Sequence, residues 1–152
     1  MLQESEKKDV YTSLLKFKLG GDEYMESFPN QLKSKFDFVT AGDLISTQLF
    51  DENIFEQMLF ALKNMGHLVF SAQFSYLGNF KYHEKLEELE KAGRIRFVEA
   101  TAFYRYDALN EVIGKYTKTP AKVYVYQKTE GDSVLAANRL KKQSTQSMVS
   151  DD

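Results

Sequence analysis

Two carboxylates, Asp37 and Asp43, bracket the short apolar run Phe38 to Ala41. A carboxylate at the end of a strand is well placed to act as a general base toward a bound substrate. The structural alternative is simpler and is the one expected: Asp37 marks the entry to a strand, and Asp43 belongs to the turn after Gly42. Histidine offers less. His67 opens an apolar run and His83 sits among Glu84, Glu87, Glu88 and Glu90, which implies hydrogen-bonded or solvated roles. The two have no metal-ligand spacing, and the chain holds no cysteine, so disulfides, thiolate-bound zinc, iron-sulfur clusters and thiol catalysis are excluded. No metal site is expected. From Arg94 to Lys128 seven basic residues (Arg94, Arg96, Arg105, Lys115, Lys118, Lys122 and Lys128) face three acids, with Phe103, Tyr104, Tyr106 and Tyr124 interleaved. That mixture suits RNA or an acidic protein surface. It equally suits charged edge strands that discourage aggregation, and this is the preferred reading.

The elements that must hold these residues follow from pattern. The chain has 152 residues, 43% of them hydrophobic and 28% charged, an ordinary balance for one domain. A net charge of -2 argues against a dedicated nucleic-acid binder. No apolar run reaches the ~20 residues a membrane span needs, and Glu4, Glu6 and Asp9 argue against a leader, so an intracellular, soluble domain is expected, with no membrane partner.

Leu2 to Val10 offers about two helical turns. Leu15, Phe17 and Leu19 alternate with lysines and predict a strand stopped at Gly20-Gly21. Phe36 to Ala41 predicts a second strand. Asp51 is placed to cap a helix whose apolar residues Ile54, Phe55, Met58, Leu59 and Leu62 share one face, with Gly66 as its stop. His67 to Phe74 then predicts a strand buried on both faces and parallel to the one before. Tyr82 to Ala92 predicts a helix ended by Gly93, with a thin apolar face of Tyr82, Leu86 and Leu89; among Phe74, Tyr76, Phe80 and Tyr82, core filling and a helix staple are the expected roles. Ile95 to Ala100 and Ala121 to Lys128 predict two more strands, joined by a long antiparallel excursion containing Asp107, Gly114 and Pro120. The division expected is an incomplete α/β domain over 1–128 and a polar tail over 129–152, in which only Val134 to Leu140 could make a short helix.

This order resembles the C-terminal half of a class I S-adenosylmethionine-dependent methyltransferase of the type-11-like kind, over roughly residues 10 to 128. KFDFVTAGDLIS (Lys35 to Ser46) is similar to the family's fourth strand and the loop bordering the cofactor, and FEQMLFALKNMGHLVFSAQ (Phe55 to Gln73) to its helix D and fifth strand. Leu62-Lys63-Asn64-Met65-Gly66 keeps the first two and last positions of the family's LKPGG turn. The resemblance implies an α/β fold: a truncated Rossmann-like sheet with strands equivalent to 3, 4, 5, 7 and 6, the seventh antiparallel, and flanking helices. It also implies a substrate lid near the aromatic residues 74–82. The glycine-rich loop after the family's first strand and the ribose-binding acid after its second have no counterpart, and the chain resembles one that begins just past that second strand.

What this implies is a non-catalytic, methyltransferase-like structural or interaction subunit of a larger protein assembly, with no catalytic residues and no cofactor. The alternative is the C-terminal fragment of an active enzyme, in which Asp22, Thr40, Ala41 and Gly42 border S-adenosylmethionine. Under the first reading, partner subunits dock at the sheet edge Phe36 to Ala41 and on the tail from Thr129, since the family order 3-2-1-4-5-7-6 loses the neighbour of its fourth strand. Either Leu14 to Leu19 slides across to pair with that edge, giving five strands, or another chain does.

Overall fold

Phe36–Ala41 forms β1, Ile54–Ala61 α1, Leu62–Gln73 β2, Tyr82–Lys91 α2, Ile95–Arg105 β3 and Thr119–Lys128 β4, with a 3-10 turn at Asn30–Leu32. These come from a computed structural model that describes residues 7, 8, 10–45, 50–73, 81–105 and 119–129. The expected N-terminal turns before residue 7, the aromatic residues Phe74, Tyr76 and Phe80, most of the excursion between β3 and β4, and the tail beyond Thr129 lie outside the described residues. Among the described residues no helix is long and apolar enough to cross a membrane.

The sheet runs β1-β2-β4-β3, with β1 parallel to β2 and β4 antiparallel to both its neighbours. Strand, helix, parallel strand is therefore as the pattern predicts, and the antiparallel return of β4 is too. Pro120 falls inside β4 instead of the excursion. It pairs only with Tyr104 of β3, one residue past the point where β2 ends against Ala121, so its missing N–H removes no bond on the β2 side.

Among the described residues the sheet has four strands, not five. Residues 13–19 adopt no strand, and Leu15 is 39% exposed. Its alternating pattern is satisfied by packing in place of a hydrogen-bond ladder: Phe17 lies edge-on to Phe28, which lies edge-on to Phe60, with ring centroids 4.8 Å and 5.7 Å apart. Those rings join Leu32 and Ala61 in a small satellite core. The outer edge of β1 consequently carries no strand among the described residues.

Both helices cover one face of the sheet. Leu68 and Phe70 of β2 and Tyr126 of β4 pack with Phe55 and Leu59 of α1 and with Tyr82, Leu86 and Leu89 of α2. From Gly66 onward β2 alternates buried with half-buried residues, so the expectation of burial on both faces is overturned: the far face, with His67, Val69 and Ser71, has no helix over it among the described residues. Tyr126 stands at the centre, ring against Phe70 and edge-on to Phe97. Burial, and then the nearby Glu90 carboxylate and Tyr124 phenol, push its hydroxyl up to about 12 from 10.0. The folded state thus favours the neutral phenol. That contribution is complete below pH 10 and is lost as pH rises through the folded value near 12. Tyr126→Phe keeps the ring contacts and is expected to flatten the alkaline limb of stability, read as the urea midpoint across that window.

The ends of α1 are not made as expected. Gly66 lies buried inside β2 and does not stop the helix; β2 begins at Leu62, and its register slips between Phe36↔Leu62 and Phe38↔His67. Glycine is required there because a Cβ would lie 2.9 Å from the Lys63 carbonyl oxygen and 3.0 Å from that of Asp37. The helix is closed by distant groups instead. Lys128 Nζ donates to the carbonyls of Leu59 (2.6 Å) and Leu62 (2.9 Å), and the N–H groups of Ser34 and Lys35 donate to Phe60 and Ala61 (2.8 and 2.9 Å). By contrast α2 ends as its sequence predicts. Gly93, at φ +68, places Arg94 N–H on the Leu89 carbonyl and its own N–H on Glu90, the paired bonds of a Schellman motif.

Candidate functional site

Of the groups singled out for chemistry, Thr40, Ala41, Gly42 and Asp43 gather at the carboxyl end of β1. Thr40 and Gly42 are exposed and Ala41 is buried. Nothing lies within 4 Å of a Cβ built on Gly42, so no close approach demands glycine there. Asp43 sits in the left-handed turn, φ +60, and donates its N–H to Ser71 Oγ at 2.8 Å. Its carboxylate is held by the Arg105 guanidinium, which ties the end of β1 to the end of β3. Asp43 is therefore a turn residue with its charge engaged. Asp37, within β1, pairs with Lys63 at 2.9 Å on the surface.

Asp22 is exposed in the loop after Gly20-Gly21, and that loop, not Asp22, is the built feature. Gln57, 1% exposed on α1, donates to the carbonyls of Lys18 (2.9 Å) and Tyr24 (2.7 Å) and accepts from Gly20 N–H (3.0 Å). Asp51 accepts from Gly21 N–H (2.8 Å) and, in an Asx turn at the start of α1, from Asn53 N–H (3.1 Å). Gly20 has φ +66, and a Cβ there would come within 2.7 Å of Asp51 Oδ1. The glycine pair thus seats a carboxylate and an amide of this chain's own helix. Sequence reasoning missed Gln57; its signal was a polar residue on the buried stripe three positions after Ile54.

Between this loop and β1 lies a cavity of about 230 Å³, walled by Phe17, Leu19, Phe28, Leu32, Phe36, Val39, Ala41, Leu44, Met58 and Ala61, with Thr40 and Gln57 the polar contributors. S-adenosylmethionine carries a sulfonium, an amino-acid head and a ribose diol, each needing a polar or charged partner once desolvated. Among the described residues this wall supplies one uncommitted hydroxyl, on Thr40, because the Gln57 amide is spent on the loop. The cavity also falls below the about 300 Å³ at which small-molecule sites begin. Of the four residues named for the cofactor, Thr40 and Ala41 line this cavity and Asp22 and Gly42 do not.

Other candidates are engaged structurally. His67 stacks on Phe38 with centroids 5.6 Å apart, and His83 Nε2 lies 3.1 Å from Glu87 one helical turn on. Tyr82 is fully buried, edge-on to Phe55, and its hydroxyl donates to the Phe50 carbonyl. Of the basic stretch, Arg94 binds Glu56, Arg96 donates to Gln127, Arg105 binds Asp43, and Lys128 is buried; Lys115 and Lys118 lie outside the described residues. No group of three or more histidines or carboxylates among the described residues is placed to hold a metal ion.

No protein-family model matches the chain, and no curated protein does. Similar solved structures exist. The N-methyltransferase NodS from Bradyrhizobium japonicum WM9 is 17% identical, over 64% of this chain and 53% of its own, with a TM-score of 0.41. A SAM-dependent methyltransferase from Methanosarcina mazei is 12% identical, over 65% of this chain and 62% of its own, with a TM-score of 0.46. The precorrin-6y C5,15-methyltransferase from Geobacter metallireducens GS-15 is 17% identical, over 84% of this chain and 61% of its own, with a TM-score of 0.43. The alignments thus span between about half and two thirds of those proteins. The architecture stands on the chain's own strand order and directions. Its order and directions match the 4-5-7-6 part of the strand order that the resemblance implies. In that frame β1 is the fourth strand, β2 the fifth, β4 the antiparallel seventh and β3 the sixth.

Proposed function

We propose that this chain is a non-catalytic, methyltransferase-like interaction subunit that docks on another protein subunit through the outer edge of β1. One observation carries the reading. Among the described residues β1, a six-residue strand, has a neighbouring strand on one side only, and its aromatic side chains Phe36 and Phe38 are 39% and 65% exposed. An unpaired strand with exposed aromatics is an association hazard unless a partner uses it. A strand added there gains main-chain bonds along β1, with Phe36 and Phe38 flanking the join. The largely apolar wall around Thr40 and Ala41, and the commitment of Asp43 to Arg105 and Ser71, support the non-catalytic half of the proposal.

Phe38→Lys is expected to abolish association with the partner subunit, while Asp37→Asn, on the neighbouring position, leaves it intact. Cross-linked co-purification from the source cells, followed by light scattering of the complex, reads this; equal recovery with both variants would remove the edge from the argument. The reading that the chain is one part of an active methyltransferase uses the same edge. The two separate on calorimetry: the isolated chain is expected to show no saturable S-adenosylmethionine binding, and saturation at micromolar concentration would favour the enzyme.

A further inference from the structure

The other border of the sheet is β3, which among the described residues also has a neighbouring strand on one side only. Residues 96–104 are all exposed, with Phe97, Val98, Phe103 and Tyr104 among them. Which main-chain groups face outward follows from the ladder. Thr129 N–H donates to the Arg94 carbonyl, so the alternation of an antiparallel pair runs from that bond, and the register shift between Phe97 and Glu99 leaves Val98 as a bulge. Beyond the bulge Glu99, Thr101, Phe103 and Arg105 turn their N–H and C=O groups to β4, while Ala100, Ala102 and Tyr104 turn theirs away from it. Before the bulge Phe97 also faces outward, and its N–H is taken by the Glu90 carboxylate at 3.1 Å. The edge is therefore closed at its amino end and open over 99–105. Edges are ordinarily blunted by lysine, proline or a free charge, and 99–105 holds neither lysine nor proline. The arginines expected to blunt it are engaged within the chain, Arg94 with Glu56, Arg96 with Gln127 and Arg105 with Asp43.

We infer that a second copy of this chain pairs antiparallel with this edge about a two-fold axis at Ala102, joining the two four-stranded sheets into one. The strand is self-complementary in that register. Ala102 meets its own copy, Ala100 meets Tyr104, Thr101 meets Phe103 and Glu99 meets Arg105, so a small side chain faces each large one and unlike charges face each other. Ala100, Ala102 and Tyr104 make the bonded pairs, about six main-chain hydrogen bonds in all. Glu99–Arg105 and Thr101–Phe103 fall at the non-bonded pairs, where side chains lie closer. Arg105 is already held by Asp43, and Glu99 of the second copy joins that ion pair instead of replacing it. Sliding the axis one residue either way sets Glu99 against Phe103 or Arg105 against Thr101, which leaves the charges unmatched and selects the register at Ala102.

The test is sedimentation equilibrium of the full chain over a concentration series, with amide exchange measured at both ends of it. A monomer–dimer equilibrium is expected. As concentration rises, the amides of Ala100, Ala102 and Tyr104 should gain protection, while those of Thr101 and Phe103, already bonded to β4, stay as they are. Ala102→Pro removes an N–H that points away from β4, so it is expected to abolish the dimer and keep the fold. Glu99→Lys is a surface change that sets a like charge against Arg105 at both ends of the join; it is expected to weaken the dimer about tenfold and carries the test if the proline disturbs β3. Phe38→Lys, on the opposite border of the sheet, should leave the dimer intact, so this inference and the docking proposal at β1 fail separately. A parent chain that stays monomeric to about 1 mM, or a dimer unchanged by both substitutions in β3, overturns the inference.

Discussion

Gln57→Leu is expected to lower the stability of the fold by about 3 kcal/mol, although it exchanges a polar residue for an apolar one of similar size in a buried position. The reason lies in what the amide leaves behind. Its Nε2 answers the carbonyls of Lys18 and Tyr24, and its Oε1 answers Gly20 N–H, so one substitution strands three backbone groups. Each buried orphan costs about 1–3 kcal/mol, and the low end applies because the two carbonyls are only partly buried and can reach water. Urea denaturation with an unchanged slope measures the loss. Amide exchange should localise it, with Gly20 N–H losing protection before any amide of β2. Gln57→Glu sharpens the test. Its carboxylate can accept from Gly20 but faces two carbonyls with a negative charge, so its folded-state pKa is raised above the unfolded value. The penalty is then largest at neutral pH and shrinks as pH falls and the acid regains a proton to donate. A Leu variant within about 0.5 kcal/mol of the parent would mean the loop from Lys18 to Tyr24 is held by its rings alone.

That latch shows where pattern reading stops. Periodicity located β1, α1, β2, α2, β3 and β4 because each is specified by the spacing of its own apolar residues, and the end of α2 at Gly93 followed from local backbone preference. Strand 15–19 was misread because alternation reports only that one side of a segment is apolar. Phe17 meets that requirement on Phe28 and Phe60 without any ladder. The Gly66 stop failed for a related reason. Helix ends need donors for their last carbonyls, and α1 finds them on Ser34, Lys35 and Lys128, the last at 69 residues' separation from Leu59. No local rule reaches that far. Among the candidate site residues, Asp43 was legible as a turn residue from Gly42 beside it, whereas its pairing with Arg105 depends on how β1 and β3 are brought to the same end of the sheet.

Lys128→Met should cost about as much as the Gln57 change, some 3 kcal/mol, and by a different route. In sequence Lys128 looks like the charged end of an edge strand. In the structure it is 8% exposed, and its ammonium lies between two carbonyls at the C-terminal end of α1, where the helix dipole also favours a cation. Methionine fills the volume but donates nothing, so the Leu59 and Leu62 carbonyls lose the Lys128 donor at the point where α1 hands over to β2 without a turn. Strain there should propagate to the other two caps: the amides of Ser34 and Lys35, bonded to Phe60 and Ala61, are expected to exchange faster in the variant while those of α2 do not. Lys128→Gln, with a shorter amide that can still donate twice, should recover part of the loss, which separates a capping role from simple packing. Urea midpoints of the three proteins order as parent, glutamine, methionine if the capping account holds. An equal fall in both variants would show that the charge, not the donated bonds, is what α1 requires.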